Sequence, residues 1–114
     1  MSCHRIIGLV AGLMLFASTA FAQQQQGGLT ITVVADVTVT ATATLIKALN
    51  NSRRSLSCTN TSSTVNVRWG SASVTATTGQ RVPAGASVEI RSLGAVYMIS
   101  EGANVTMSCT EEAQ

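Results

Sequence analysis

The sequence predicts an all-β protein, a small antiparallel β-sandwich of jelly-roll or immunoglobulin-like type. Three features point there. Apolar and polar residues alternate with period two along several short stretches, the signature of half-buried strands. Turn formers, chiefly Gly, Asn and Ser, separate those stretches at regular intervals. No stretch after the first apolar run carries the 3.6-residue periodicity of an amphipathic helix. One domain is all that a 114-residue chain allows.

The N-terminus reads as a secretory signal. His4 and Arg5 form a short basic start, Ile6 to Phe16 an uncharged apolar run, and Ala20-Phe21-Ala22 an A-x-A cleavage site. The run is well short of the ~20 residues that a membrane-spanning helix needs. Cys3 precedes it, whereas a lipidated cysteine would follow it. The expected organisation is therefore a signal peptide over 1–22, a polar Gln/Gly leader over 23–28, a sandwich over 29–110 and a C-terminal tail over 111–114. The mature chain is secreted or periplasmic and meets a membrane only during export.

Leu29 to Leu45 alternates throughout. Leu29, Ile31, Val33, Ala35, Val37 and Val39 share one face, and Thr30, Thr32, Val34, Asp36 and Thr38 the other. Seventeen extended residues would reach about 55 Å, too long for one strand of a small domain. Either a bulge near Ala35-Asp36 breaks the run, or an N-terminal extended strand leaves the body as an arm. Such an arm would pair with a neighbouring subunit and bury Ile31, Val33, Val37 and Val39 there. Leu45 to Leu49 could add a short helical turn.

Asn50-Asn51-Ser52 is a turn, followed by a strand over Arg53 to Thr59 with Leu56 and Cys58 on one face. A turn at Asn60 to Ser63 leads to a strand with Val65, Val67 and Trp69 inward. Ser73 to Thr77 reads as a short strand, Thr78-Gly79 as a turn, and Val82 to Gly85 as a bend in which Pro83 excludes a central strand position. Val88 with Ile90, Val96 to Ile99, and Val105 to Cys109 complete the set.

Cleavage would leave Cys58 and Cys109 as the only cysteines. In an exported chain such a pair favours one disulfide. Both positions alternate with inward residues, so their Cα atoms should lie within ~7 Å.

Catalysis finds little footing. The single histidine, His4, leaves with the signal, so the mature chain cannot build a Ser-His or Cys-His pair. It also lacks a His/Cys cluster for zinc, and no cofactor is expected. Of the acids, Glu101 reads as part of a turn and Glu111-Glu112 as a frayed tail. Removing Arg5 leaves six basic against five acidic residues, a balance that does not suggest nucleic acid. Arg53, Arg54, Arg68, Arg81 and Arg91 are candidates for a basic partner-binding face, with edge protection as the plainer alternative. Arg54, at the start of its strand, could instead bond neighbouring loop carbonyls. Trp69 and Tyr97 could form a sugar platform only if both were exposed.

Several segments, in order, resemble a family of small structural proteins of tailed phages and prophages. The matching residues are Ala43-Thr44-Leu45-Ile46, Asn51, Arg54-Ser55-Leu56, Asn60, Trp69-Gly70, Ala76-Thr77-Thr78-Gly79, Val96 to Ser100 and Val105-Thr106, with the Pro-Gly turn loosened to Pro83-Ala84-Gly85. The resemblance spans Thr42 to Glu112. It implies a non-enzymatic virion or envelope component, a homo-oligomer or a partner of other viral or envelope structural proteins. A signal peptide and a cysteine pair depart from that family's pattern. The alternative is a secreted binding module, adhesin-like or directed to a surface glycan.

Overall fold

The computed structural model describes residues 28–114. The signal-peptide reading, and the leader as far as Gly27, lie outside them. Eight strands form: β1 (Thr30–Val39), β2 (Thr44–Lys47), β3 (Arg53–Asn60), β4 (Val67–Gly70), β5 (Gln80–Val82), β6 (Ser87–Ile90), β7 (Val96–Ser100) and β8 (Val105–Ala113). They make two four-stranded sheets, ordered β1-β8-β3-β6 and β2-β7-β4-β5. Every pairing is antiparallel. First pairs with last, second with seventh, third with sixth and fourth with fifth. The chain is thus one long antiparallel ribbon rolled on itself, which is a jelly roll. Of the two topologies open from sequence, the structure selects this one.

The core lies between the sheets. Val39, Leu56, Cys58, Ile90, Val105, Met107 and Cys109 contribute from the first sheet, and Ile46, Val67, Val96 and Met98 from the second. Burying side chains such as Leu56 and Ile90 stabilises the fold by roughly 1.5–3 kcal/mol each. In β8 the alternation is regular: Val105, Met107 and Cys109 point inward while Thr106, Ser108 and Thr110 stay exposed.

The expected bulge is present. The register of β1 on β8 shifts between Val34 and Val37, across Ala35 and Asp36. The shift changes which residues face the core. Val37 and Val39 pack inward as the alternation requires, but before the bulge it is Val34 that turns in, and Ile31 and Val33 turn out. The arm reading is corrected here: β1 belongs to the subunit's own sheet, and Val39 is fully buried in its own core.

Other differences have local causes. Thr44 to Lys47 is a strand, not a helical turn, because pairing with β7 outweighs the weak local preference of a short segment. Ser73 to Thr77 is a series of turns. The hydroxyls of Thr75 and Thr78 bond to each other and to nearby backbone N–H groups, which gives that segment an alternative to a sheet ladder. Gly79, at φ 98°, closes these turns, and a Cβ there would lie 2.9 Å from the Trp69 carbonyl oxygen. The residues read as a C-terminal tail continue β8 as far as Ala113.

Asn60 ends β3 and is fully buried. Its Nδ2 donates to the carbonyls of Val65 (2.9 Å) and Val82 (3.1 Å), and its Oδ1 accepts from the Ser62 N–H (2.9 Å). One side chain thereby satisfies three backbone groups at the corner where β3 leaves its sheet.

Candidate functional site

The cysteines are directly opposed on neighbouring strands of one sheet, Cys58 on β3 and Cys109 on β8, and they form a disulfide with Cα atoms 4.1 Å apart. Both are buried among core side chains. The bond stitches β8 to β3 from inside the sandwich.

The five arginines do not share a surface. Arg53 is buried, its side chain without exposure. Its Nε donates to Glu111 Oε2 (2.8 Å), its Nη1 to the carbonyls of Ser92 (2.8 Å) and Gly94 (2.9 Å), and its Nη2 to the carbonyl of Ala48 (2.7 Å). The loop-bonding role foreseen for Arg54 therefore belongs to Arg53. The cause is a register shift between Arg53 and Ser55, which turns Arg53 inward and Arg54 out. Arg68 and Arg81 face each other on β4 and β5 and share Glu101, at 2.8 and 2.9 Å. Arg91 pairs with Glu89 at the surface. Arg54, Arg91, Glu89, Glu112, Ser55 and Leu29 line a shallow depression in which two basic groups meet two acidic ones. Four of the five arginines thus have a carboxylate partner within the described residues, although Arg81 and Arg91 remain exposed.

Trp69 packs against the core, and its indole Nε1 is buried without a hydrogen-bond partner among the described residues. Tyr97 is half-buried. An exposed aromatic platform does not form. No group of three His, Cys, Asp or Glu side chains converges among the described residues.

Two carboxyl groups are perturbed. Burial pushes Glu111 up. The hydrogen bond from Arg53, the nearby Asn50 amide and the charges of Lys47 and Arg53 outweigh burial and hold it below the usual carboxylate range. The bond from Arg81 is the largest influence on Glu101; desolvation opposes it, Arg68 adds to it, and the result is again lowered. A folded-state value below the unfolded one stabilises the fold at pH above the unfolded value, about 4.3 for Glu. That contribution disappears as pH falls through the folded value. Stability should thus hold from neutral pH to about pH 5 and decline below about pH 4. Urea unfolding across that range checks it. Glu111→Gln should flatten the acid slope more than Glu112→Gln, and equal slopes would contradict the assignment.

The most distinctive surface is the free edge of β1. No described strand pairs with its far side. The hydrogen-bonding phase of that edge follows from the disulfide. A 4.1 Å Cα spacing marks Cys58 and Cys109 as a non-hydrogen-bonded pair. The Thr61 N–H bond to the Thr106 carbonyl, three positions along, agrees with that phase. The peptide groups of Cys109 and Glu111 therefore point toward β1, where they meet Val34 and Thr32. The peptide groups of Ile31 and Val33 are left pointing outward. The same two residues are 66% and 79% exposed, with Leu29 beside them at 42%. From Leu29 to Ala35 there is no charge and no proline, the usual guards of an open edge. The first charge, Asp36, sits in the bulge.

No family model matches the chain, and no curated protein matches it. Among solved structures it is similar to one described by the words "Bacillus endospore appendages form a novel family of disulfide-linked pili", with 22% identity, coverage of 75% of this chain and 86% of that chain, and a TM-score of 0.46. Pili and disulfide linkage are properties of that appendage protein.

Proposed function

We propose that this chain is an exported, non-enzymatic building block that assembles with further copies of itself. The observation that carries the reading is the β1 edge: among the described residues nothing covers it, and exposed apolar side chains coincide there with outward-pointing peptide groups on a strand held by a disulfide-stitched sheet. A soluble monomer ordinarily blunts such an edge with charge, proline or a covering loop. Supporting it, Arg53, Arg68, Arg81 and Arg91 are paired with carboxylates of the same chain, and Trp69 is packed on the core. The finer form of the reading places the assembly in a virion or on the cell envelope, in line with the tailed-phage resemblance of Thr42 to Glu112.

The test uses the whole chain expressed with its own leader in a bacterium that exports it. Mass spectrometry of the exported product should show a chain that starts at Gln23 or at its cyclised form. Light scattering should give a mass above that of one chain, and the native protein should sediment with particles or an envelope fraction. A cytoplasmic monomer starting at Met1 would overturn the proposal.

A further inference from the structure

The geometry points to a self-complementary docking site: β1 pairs antiparallel with β1 of a second copy, centred on Thr32. This inference rests on the building-block reading and gives it a partner, a register and a symmetry.

The phase of the edge limits the register, and engaging both outward residues of each copy selects one. Outward-pointing peptide groups can bond only to outward-pointing groups of the partner. On β1 before the bulge these belong to Ile31 and Val33. In antiparallel pairing about a twofold axis, Ile31 of one copy then lies opposite Val33 of the other, and the reverse. Each pair exchanges both of its N–H···O bonds, and the two Thr32 residues form the close, non-hydrogen-bonded pair on the axis. The paired stretch runs from Leu29 to Ala35 in both copies and ends where the bulge bends the strand away.

The side chains agree with that register. Ile31 and Val33 of both copies fall on the outer face of the joined sheet and form an apolar cluster of β-branched residues, a favourable cross-strand combination. Each now stands more than half exposed. Charge does not oppose the contact. The nearest like charges are the two Asp36 carboxylates, which this register sets at opposite ends, eight residues or about 27 Å apart along the strands. The β1-β8-β3-β6 sheets of the two copies become one continuous sheet through the axis.

The other edges fit a second copy less well. β6 has four residues and carries Glu89, with Arg91 just beyond it; β5 has three residues and runs into Pro83; β2 has four residues, Lys47 and a register shift. β1 is the longest edge and the one whose leading half is uncharged.

Two variants of the exported, full chain test the site. Val33→Lys places a charge on a side chain that faces solvent in the single subunit, so the circular dichroism should match the parent and melting should remain one cooperative transition, lowered only by the loss of the partner. The light-scattering mass should fall two-fold. Thr32→Cys puts a thiol on the axis, with the native pair already consumed in its own disulfide. Mild oxidation should convert this variant to a cross-linked dimer at least ten-fold faster than Thr38→Cys, which lies on the same strand past the bulge. An oligomeric parent whose mass Val33→Lys leaves unchanged, or equal cross-linking of the two cysteine variants, overturns the docking site alone. A parent that is monomeric at every concentration overturns both the site and the building-block reading.

Discussion

Arg53→Met should lower the free energy of unfolding by about 3–5 kcal/mol, whereas Arg54→Met, its exposed neighbour, should change it by less than about 0.5 kcal/mol. Arg53 has no exposed side-chain surface and holds Glu111 together with three loop carbonyls, those of Ala48, Ser92 and Gly94. Methionine fills much of the same space but donates nothing. Glu111, whose side chain is 6% exposed, would keep Asn50 and a more distant Lys47 at 3.9 Å as its only described partners. A buried charge that loses its counter-ion costs more than the pair contributed while intact. Arg53→Met/Glu111→Leu should therefore be more stable than Arg53→Met alone, because the second change removes the uncompensated carboxylate. Urea denaturation of the three variants checks the ordering. Equal losses for Arg53→Met and Arg54→Met, or a double variant no better than the single one, would show that the buried pair does not organise this end of the sandwich.

That pair also marks where sequence reading stopped. Strand alternation made most of the sheets legible: β3, β6, β7 and the first half of β8 fall where Val, Ile, Leu and Cys recur every second residue. The bulge at Ala35-Asp36 was legible from length, since so long a run cannot remain one regular strand in a small domain. The disulfide was legible from cysteine count and inward phase together. What alternation cannot carry is its own interruption. A one-residue shift between Arg53 and Ser55 exchanges the inner and outer roles of two adjacent arginines that look identical in sequence. The same limit hid Glu111. A glutamate near a chain end reads as solvated, and only the pairing of β8 with both β1 and β3 shows that the strand continues and buries it. The short strands β2 and β5 lack enough residues to display a period, so their partners on β7 and β4 decide them.

The exposed edge of β1 was half legible. The excess of Val and Thr in Leu29 to Leu45 suggested strand addition through Ile31, Val33, Val37 and Val39, but alternation treats all four alike. Before the bulge Ile31 and Val33 face outward; after it Val37 and Val39 belong to the core. A bulge thus divides one continuous pattern into a segment whose Val residues at odd positions face the core and a segment whose Ile31 and Val33 face outward. The division has a mechanical side. β1 reaches the rest of its sheet through β8 alone, so the edge is only as fixed as β8 is.

β8 is fixed by the disulfide, and its removal should be costly. Cys58→Ala/Cys109→Ala should lower the free energy of unfolding by about 4 kcal/mol, within the roughly 2–5 kcal/mol range for small exported domains. The bond joins residues 51 apart in sequence, and its constraint on the unfolded chain is the main source of that figure. Two absent sulfur atoms in a closed core add a smaller loss through imperfect packing. Because both cysteines are buried, thiol reductant alone should leave the native protein oxidised, and reduction should proceed only once denaturant opens the sheet. The double variant should therefore unfold at lower urea, and β1 should lose amide protection before β3 does, since β8 is no longer pinned between them. Hydrogen exchange read on Val34 and Leu56 distinguishes the two strands. If the double variant loses less than about 1 kcal/mol, or if native protein is reduced as quickly as unfolded protein, the disulfide is not what fixes β8 and the edge it carries.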